Sequence, residues 1–227
     1  MRKKLFPILS ALAAAILYAV GIPLSKVLLR TTEPVYLAGF LYLGAGLGML
    51  PLSRVTRRER AARLDRSDLP YTLGMIVLDI AAPIALMTGV ARTSAASASL
   101  LNNFEIVATS LIALVLFKEA ISRRLWLGIF LVTLSSVLLS AQDIRAVSLS
   151  AGSLYVLLAC VCWGFENNCT RRLSEKDPME IVAVKGVFSG LGALIVAFVC
   201  GAALPDALLI VLALLLGFVS YGLSILF

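Results

Sequence analysis

Histidine does not occur once in the 227 residues. Its absence excludes Ser-His catalytic triads, zinc proteases of the HExxH type and histidine-ligated haem or metal, and with them most membrane hydrolases. Charge is also scarce, at 15% of residues against the roughly 25% of an ordinary soluble domain. No G-x-x-x-x-G-K-[ST] loop occurs, so ATP-driven chemistry would need another subunit. The four cysteines, Cys160, Cys162, Cys169 and Cys200, fall in or at the edge of apolar runs without a C-x-x-C pair. They are expected as small core residues, and neither a cofactor nor a metal site is expected. No segment shows the weak alternation over about ten residues that marks the strands of a membrane barrel.

What the sequence does have is apolar length. Hydrophobic residues make up 60% of the chain and arrive in runs that match the roughly 20 residues a helix needs to cross a bilayer. The expected fold is all-α, a polytopic transmembrane helix bundle. Eight spans are expected near Leu5–Leu29, Val35–Leu52, Pro70–Ala91, Ser94–Phe117, Leu125–Ala141, Gly152–Thr170, Met179–Cys200 and Leu204–Phe227. Pro34, Pro70, Pro178 and Pro205 lie at or near span starts, where a missing N–H costs little.

The net charge of +7 is read as a topology signal and not as a nucleic-acid surface, because the basic residues sit in short connections. Alternating sides from the N-terminus, fifteen fall on one side. These are Arg2, Lys3 and Lys4, the six arginines of the Ser53–Leu69 loop, Lys118, Arg123, Arg124, Arg171, Arg172 and Lys176. The other side has Arg30, Arg92 and Arg145. The split would vanish if one span were missing, so it supports both eight spans and a cytoplasmic N-terminus; the plasma membrane is the expected location. The loop arginines, Arg54 to Arg66, would also attract anionic lipid headgroups. The Arg2-Lys3-Lys4 start is similar to a signal peptide, but the pattern holds only if the first span is retained.

An internal repeat is visible. "LYAVGIPLSKVLLRTTEPVYLAGF" near Leu17 parallels "CVCWGFENNCTRRLSEKDPMEIVAVK" near Cys162, with Gly21 matching Gly164 and Pro34 matching Pro178. Gly44 and Gly48 in one copy, and Gly186 and Gly190 in the other, are G-x-x-x-G pairs that let helices approach closely. A five-span unit is odd-numbered, so its second copy enters the membrane inverted. The division expected is 1–141 for the first repeat of five helices, 142–151 for a linker and 152–227 for an incomplete second repeat of three.

The stretch Asn102 to Leu139, with Glu119 closing its first helix and Gly128 early in the next, resembles the end of a half-repeat of the drug/metabolite transporter superfamily, of the EamA type. "WGFENN" at Trp163 to Asn168 is similar to that family's W-G-x-N motif, which is degraded in the first half, where Val20 replaces the tryptophan. The resemblance implies ten spans in two halves, a central cavity lined by the first four helices of each and a more peripheral fifth helix. The sequence here is expected to be C-terminally incomplete, with a genuine eight-span variant as the alternative. A peripheral fifth helix leaves room for a homodimer, although no span carries an interface pattern.

Ionisable side chains inside spans are the best pointers to function, since each costs roughly 2.5–3.5 kcal/mol at mid-span on insertion scales. Lys26, Asp79, Glu105, Glu166 and Lys185 qualify. Asp79 and Glu105 lie near the middles of the third and fourth spans, which a short turn at Thr93 makes antiparallel neighbours of similar depth. Ala98, Asn102, Glu105 and Thr109 recur on one helical face, read as cavity lining. Two close carboxylates titrate as a coupled pair, which suits proton binding and release. The competing structural role is a hydrogen bond from Asn102 or a serine to Glu105 that locks helices together. Glu166 and Lys185 are positioned to pair or snorkel. Asn167 and Asn168 match the family's polar position, Lys26 is within snorkelling reach of its helix end, and Glu119 is expected to bind Arg123 or Arg124. Tyr18, Trp126 and Trp163 are read as packing or interfacial anchors.

The function expected is a secondary transporter moving a small organic metabolite by alternating access, proton-coupled through Glu105. The expected partners are a small-molecule substrate and the lipid bilayer, with no nucleic acid. A non-transporting scaffold or sensor is the alternative, and an enzyme acting on lipid-linked substrates is less favoured, because histidine is absent and no catalytic cluster stands at the membrane surface.

Overall fold

Backbone groups in lipid must be satisfied within the chain, and helices do this along their own axis. A computed structural model describes residues 2–55, 64–120, 122–141 and 150–224. Among these the α-helices are α1 (Arg2–Ala19), α2 (Gly21–Leu28), α3 (Pro34–Val55), α4 (Leu69–Arg92), α5 (Ala95–Asn102), α6 (Phe104–Val115), α7 (Arg123–Ala141), α8 (Ala151–Arg172), α9 (Pro178–Val199) and α10 (Ala207–Gly217). A π-helical segment, Phe218–Leu223, continues α10. Most of the arginine-rich loop, residues 56–63, and most of the expected linker, residues 142–149, lie outside the described residues.

Each of the eight expected spans falls on a helix or on two consecutive helical pieces, and this is a multi-pass membrane protein. Among the described residues, five stretches are long and apolar enough to cross a membrane: Ile8–Leu28, Pro34–Leu52, Arg66–Arg92, Ala95–Val115 and Pro178–Val199. Ala207–Leu223 is apolar but shorter. Helices α7 and α8 occupy the fifth and sixth expected spans; α8 is more polar because it carries Glu166, Asn167, Asn168 and two terminal arginines.

The helix starts follow from local chemistry. Pro34 opens α3, and Pro178 opens α9 behind Asp177, whose carboxylate accepts the Met179 N–H at 2.9 Å. Ser94 and Ser150 cap α5 and α8 by accepting the N–H of Ser97 at 3.0 Å and of Ser153 at 3.2 Å. Three expected spans are interrupted. The first breaks at Val20, just before Gly21; the fourth breaks at Asn103; the eighth widens from α to π at Phe218. Glycine and asparagine are weak helix residues, the latter because its side chain competes for backbone groups.

The chain divides into two units, Met1–Arg66 with Ser174–Phe227, and Ser67–Leu173. Each therefore draws helices from both sides of the expected 142–151 linker. In the first unit α3 packs along α9 and against α10. A methyl group on Gly186 would stand 2.6 Å from the Gly46 Cα, and one on Gly190 2.6 Å from the Leu43 nitrogen. The other G-x-x-x-G pair serves a different neighbour: Gly44 abuts the Leu214 carbonyl and Gly48 the Phe218 ring. In the second unit α8 packs along both α4 and α6, while α7 makes few contacts with α5 and α6. The core of that unit includes Met75, Ala82, Leu86, Val156 and Ala159, whereas Val77, Val115 and Phe130 face outward as expected where lipid is the solvent.

Candidate functional site

The polar centre of the second unit is built around α8. Gly164 makes it: a methyl group there would stand 3.0 Å from both the Ala108 carbonyl carbon and the Thr109 nitrogen, so α6 lies directly on the glycine. This approach brings the next turn of α8 within hydrogen-bonding reach of α6. Asn167 donates through Nδ2 to Oε1 of Glu105 at 2.9 Å and to Oγ1 of Thr109 at 3.1 Å. Glu105, Thr109 and Asn167 are each half-buried.

Asn168 is buried and works differently. Its Nδ2 donates to the carbonyls of Thr109 at 3.1 Å and Gly164 at 2.7 Å, stapling backbone to backbone. Glu166 is 1% exposed and accepts the Thr170 hydroxyl within its own helix. One turn before Asn167, the Trp163 indole Nε1 donates to Oδ1 of Asp79 at 3.2 Å. Asp79 is fully enclosed between α4 and α8.

The break at Asn103 shapes the site as well. It puts Glu105 in the first turn of α6, where the free N–H groups of a helix start interact favourably with anionic groups. The same break leaves α5 carbonyls without full helical partners. The Cys160 thiol donates to those of Leu101 at 3.4 Å and Asn102 at 3.7 Å. Asn102 itself is buried at the last position of α5.

Of the residues singled out from the sequence, Asp79, Asn102, Glu105, Glu166, Asn167 and Asn168 all belong to this second unit, whereas Lys26, half-buried in the last turn of α2, and Lys185 belong to the first. The third and fourth spans were expected to meet directly. Instead α8 packs against α4 and α6, and supplies a donor to each carboxylate. Glu119 pairs with Arg171 of α8, not with the Arg123 or Arg124 expected from sequence proximity. Two contributors were missed: Trp163, read as packing, and Cys160, read as core. Their spacing with Asn167 on one helix, four and three residues apart, is the signal that places them on one face.

The sequence pattern of the EamA-like transporter family matches residues 5–141. A relative from Methanothermobacter thermautotrophicus, described as an uncharacterized transporter, is 26% identical over 84% of this chain, which spans 60% of the length of that protein. A solved crystal structure superimposes with a TM-score of 0.68 over 96% of this chain and 76% of the other, at 15% identity, a likeness of fold alone.

Proposed function

This chain belongs to the EamA-like transporter family, and from that premise we propose that it works as a secondary transporter of small organic metabolites by alternating access, coupled to protons through Glu105. The observation that carries the reading is the Asn167–Glu105–Thr109 cluster: a half-buried carboxylate inside a membrane-spanning helix, held by an amide and beside a hydroxyl. Ionisable groups at such depth are costly and mark ion or substrate paths. A discontinuous helix at the same place is a recurrent feature of transporter binding sites.

Glu105 supplies a proton-binding oxygen, while the Asn167 amide and the Thr109 hydroxyl can exchange partners between the carboxylate and a polar solute. Mixed amide, hydroxyl and carboxylate groups suit amino acids, amines or nucleosides better than purely apolar compounds. The excess of basic residues on one side of the expected spans supports a cytoplasmic N-terminus, and the plasma membrane is the location proposed. The parallel between the stretches near Leu17 and Cys162 supports an inverted repeat, with five helices over 1–141 and an incomplete second copy of three over 152–227.

The test is counterflow in proteoliposomes: vesicles preloaded with one unlabelled amino acid, amine or nucleoside are diluted into trace label. Transient accumulation of unchanged label supports the transporter. Covalent conversion of the label would identify an enzyme, and absence of exchange across the panel would favour a scaffold or sensor.

A further inference from the structure

Five cationic side chains crowd one corner of the second unit. Lys118 follows the end of α6, Arg123 and Arg124 open α7, and Arg171 and Arg172 close α8; all five residues are exposed. Glu119 pairs with Arg171, and the Arg172 guanidinium lies 5.6 Å from the centre of the Phe117 ring. The turn between them is shaped for this. Lys118 adopts φ +53°, uncommon for a residue with a side chain, and the Glu119 N–H donates to the Ala113 carbonyl at 3.1 Å. The residues flanking Lys118 thus receive the two arginines of α8.

Helix α7 starts here with the wrong charge for its dipole. Arg123 and Arg124 occupy its first turn, where no acidic residue is present, although helix N-termini favour anions. Just beyond them Trp126, Leu127 and Phe130 are 45%, 58% and 60% exposed. A cationic corner continuous with a bare apolar helix face fits an amphiphile with an anionic head, and an interfacial tryptophan fits the boundary between the two.

We propose that this corner binds the phosphodiester headgroup of an anionic phospholipid, with its acyl chains lying along the exposed face of α7. The site goes beyond the transport reading and does not depend on it. It differs from the diffuse attraction of any basic loop in having two arginines held by Glu119 and Phe117 near the start of α7, where the Ser122 hydroxyl accepts the Leu125 N–H at 3.2 Å.

The two tryptophans of the chain make it testable, because Trp163 is 6% exposed and Trp126 faces outward. The protein is reconstituted in phosphatidylcholine vesicles in which a small fraction of the lipid is chain-brominated phosphatidylglycerol or chain-brominated phosphatidylcholine. At equal mole fraction the brominated phosphatidylglycerol should quench Trp126 several-fold more, with W126F identifying the quenched signal. Removing two cations in R123Q/R124Q should bring the two lipids to within about twofold of each other, whereas R57Q/R58Q, with the same loss of charge from the Ser53–Leu69 loop, should leave the several-fold preference in place. Equal quenching by the two lipids would overturn the proposal, as would equal loss from the two arginine pairs. Millimolar inorganic phosphate should leave the preference unchanged; competition would assign the corner to free phosphate and overturn the lipid.

Discussion

The Asn167 amide nitrogen lies 2.9 Å from the Glu105 carboxylate, and one helical turn away on α8 the Trp163 indole lies 3.2 Å from that of Asp79. One helix therefore addresses the acids of α4 and α6 through neutral donors. The environments differ: Asp79 is fully enclosed, while Glu105 is half-buried beside a hydroxyl and a helix break. The enclosed acid is suited to holding α4 on α8, and the other to exchanging protons and partners.

If Asp79 is an anchor, Trp163→Phe removes a donor from a fully buried carboxylate and should destabilise the protein by about 1–3 kcal/mol. Thermal unfolding in detergent measures this. The double variant W163F/D79L should be less destabilised than the sum of the two single changes, by about 1 kcal/mol. Simple additivity would show that the two side chains act independently.

The α6–α8 contact makes a paired prediction about glycines. Gly164→Val pushes α6 off α8 and should cost about 1–3 kcal/mol through overpacking, lowering the unfolding temperature and separating Asn167 from Glu105. Nothing stands within 4 Å of a methyl group on Gly128 in α7, so Gly128→Ala should stabilise by about 0.5–1 kcal/mol through helix propensity.

Asn167→Ala deletes a hydrogen bond to an ionisable carboxylate and should destabilise by about 1.5–3 kcal/mol while reducing solute flux. Asn168→Ala removes the staple to the Thr109 and Gly164 carbonyls. Its effect should appear mainly in unfolding temperature, with flux per folded molecule retained. Comparing flux normalised to folded protein with unfolding temperature for the two variants distinguishes a site residue from a packing residue.

Much of this architecture is legible in the sequence because the bilayer imposes one rule everywhere. Apolar runs of spanning length and proline starts place the helices to within a few residues, as at Pro34 and Pro178. Glu105, Asn167 and Thr109 are legible as polar groups at helical spacing within apolar runs. What is not legible is which helix lies beside which. The expected meeting of the third and fourth spans follows from their short connection, but the contacts that organise the site run to α8, about 60 residues further on for Glu105 and Thr109. The break at Asn103 is not legible either, because one asparagine in an apolar run is too common to signal an interruption. Arg171 reaches Glu119 across 52 residues, a partnership that local spacing does not reveal.

The central claim is that Glu105 carries the proton that drives solute movement. Its most direct test is solute flux in proteoliposomes with and without an imposed pH gradient, comparing the wild-type chain with Glu105→Gln, which keeps size and an acceptor for Asn167 but cannot ionise. The account predicts that the gradient accelerates flux in the wild type and has no effect in the variant, while counterflow without a gradient survives. Gradient-driven flux unchanged in Glu105→Gln would contradict it and leave Glu105 a structural partner of Asn167.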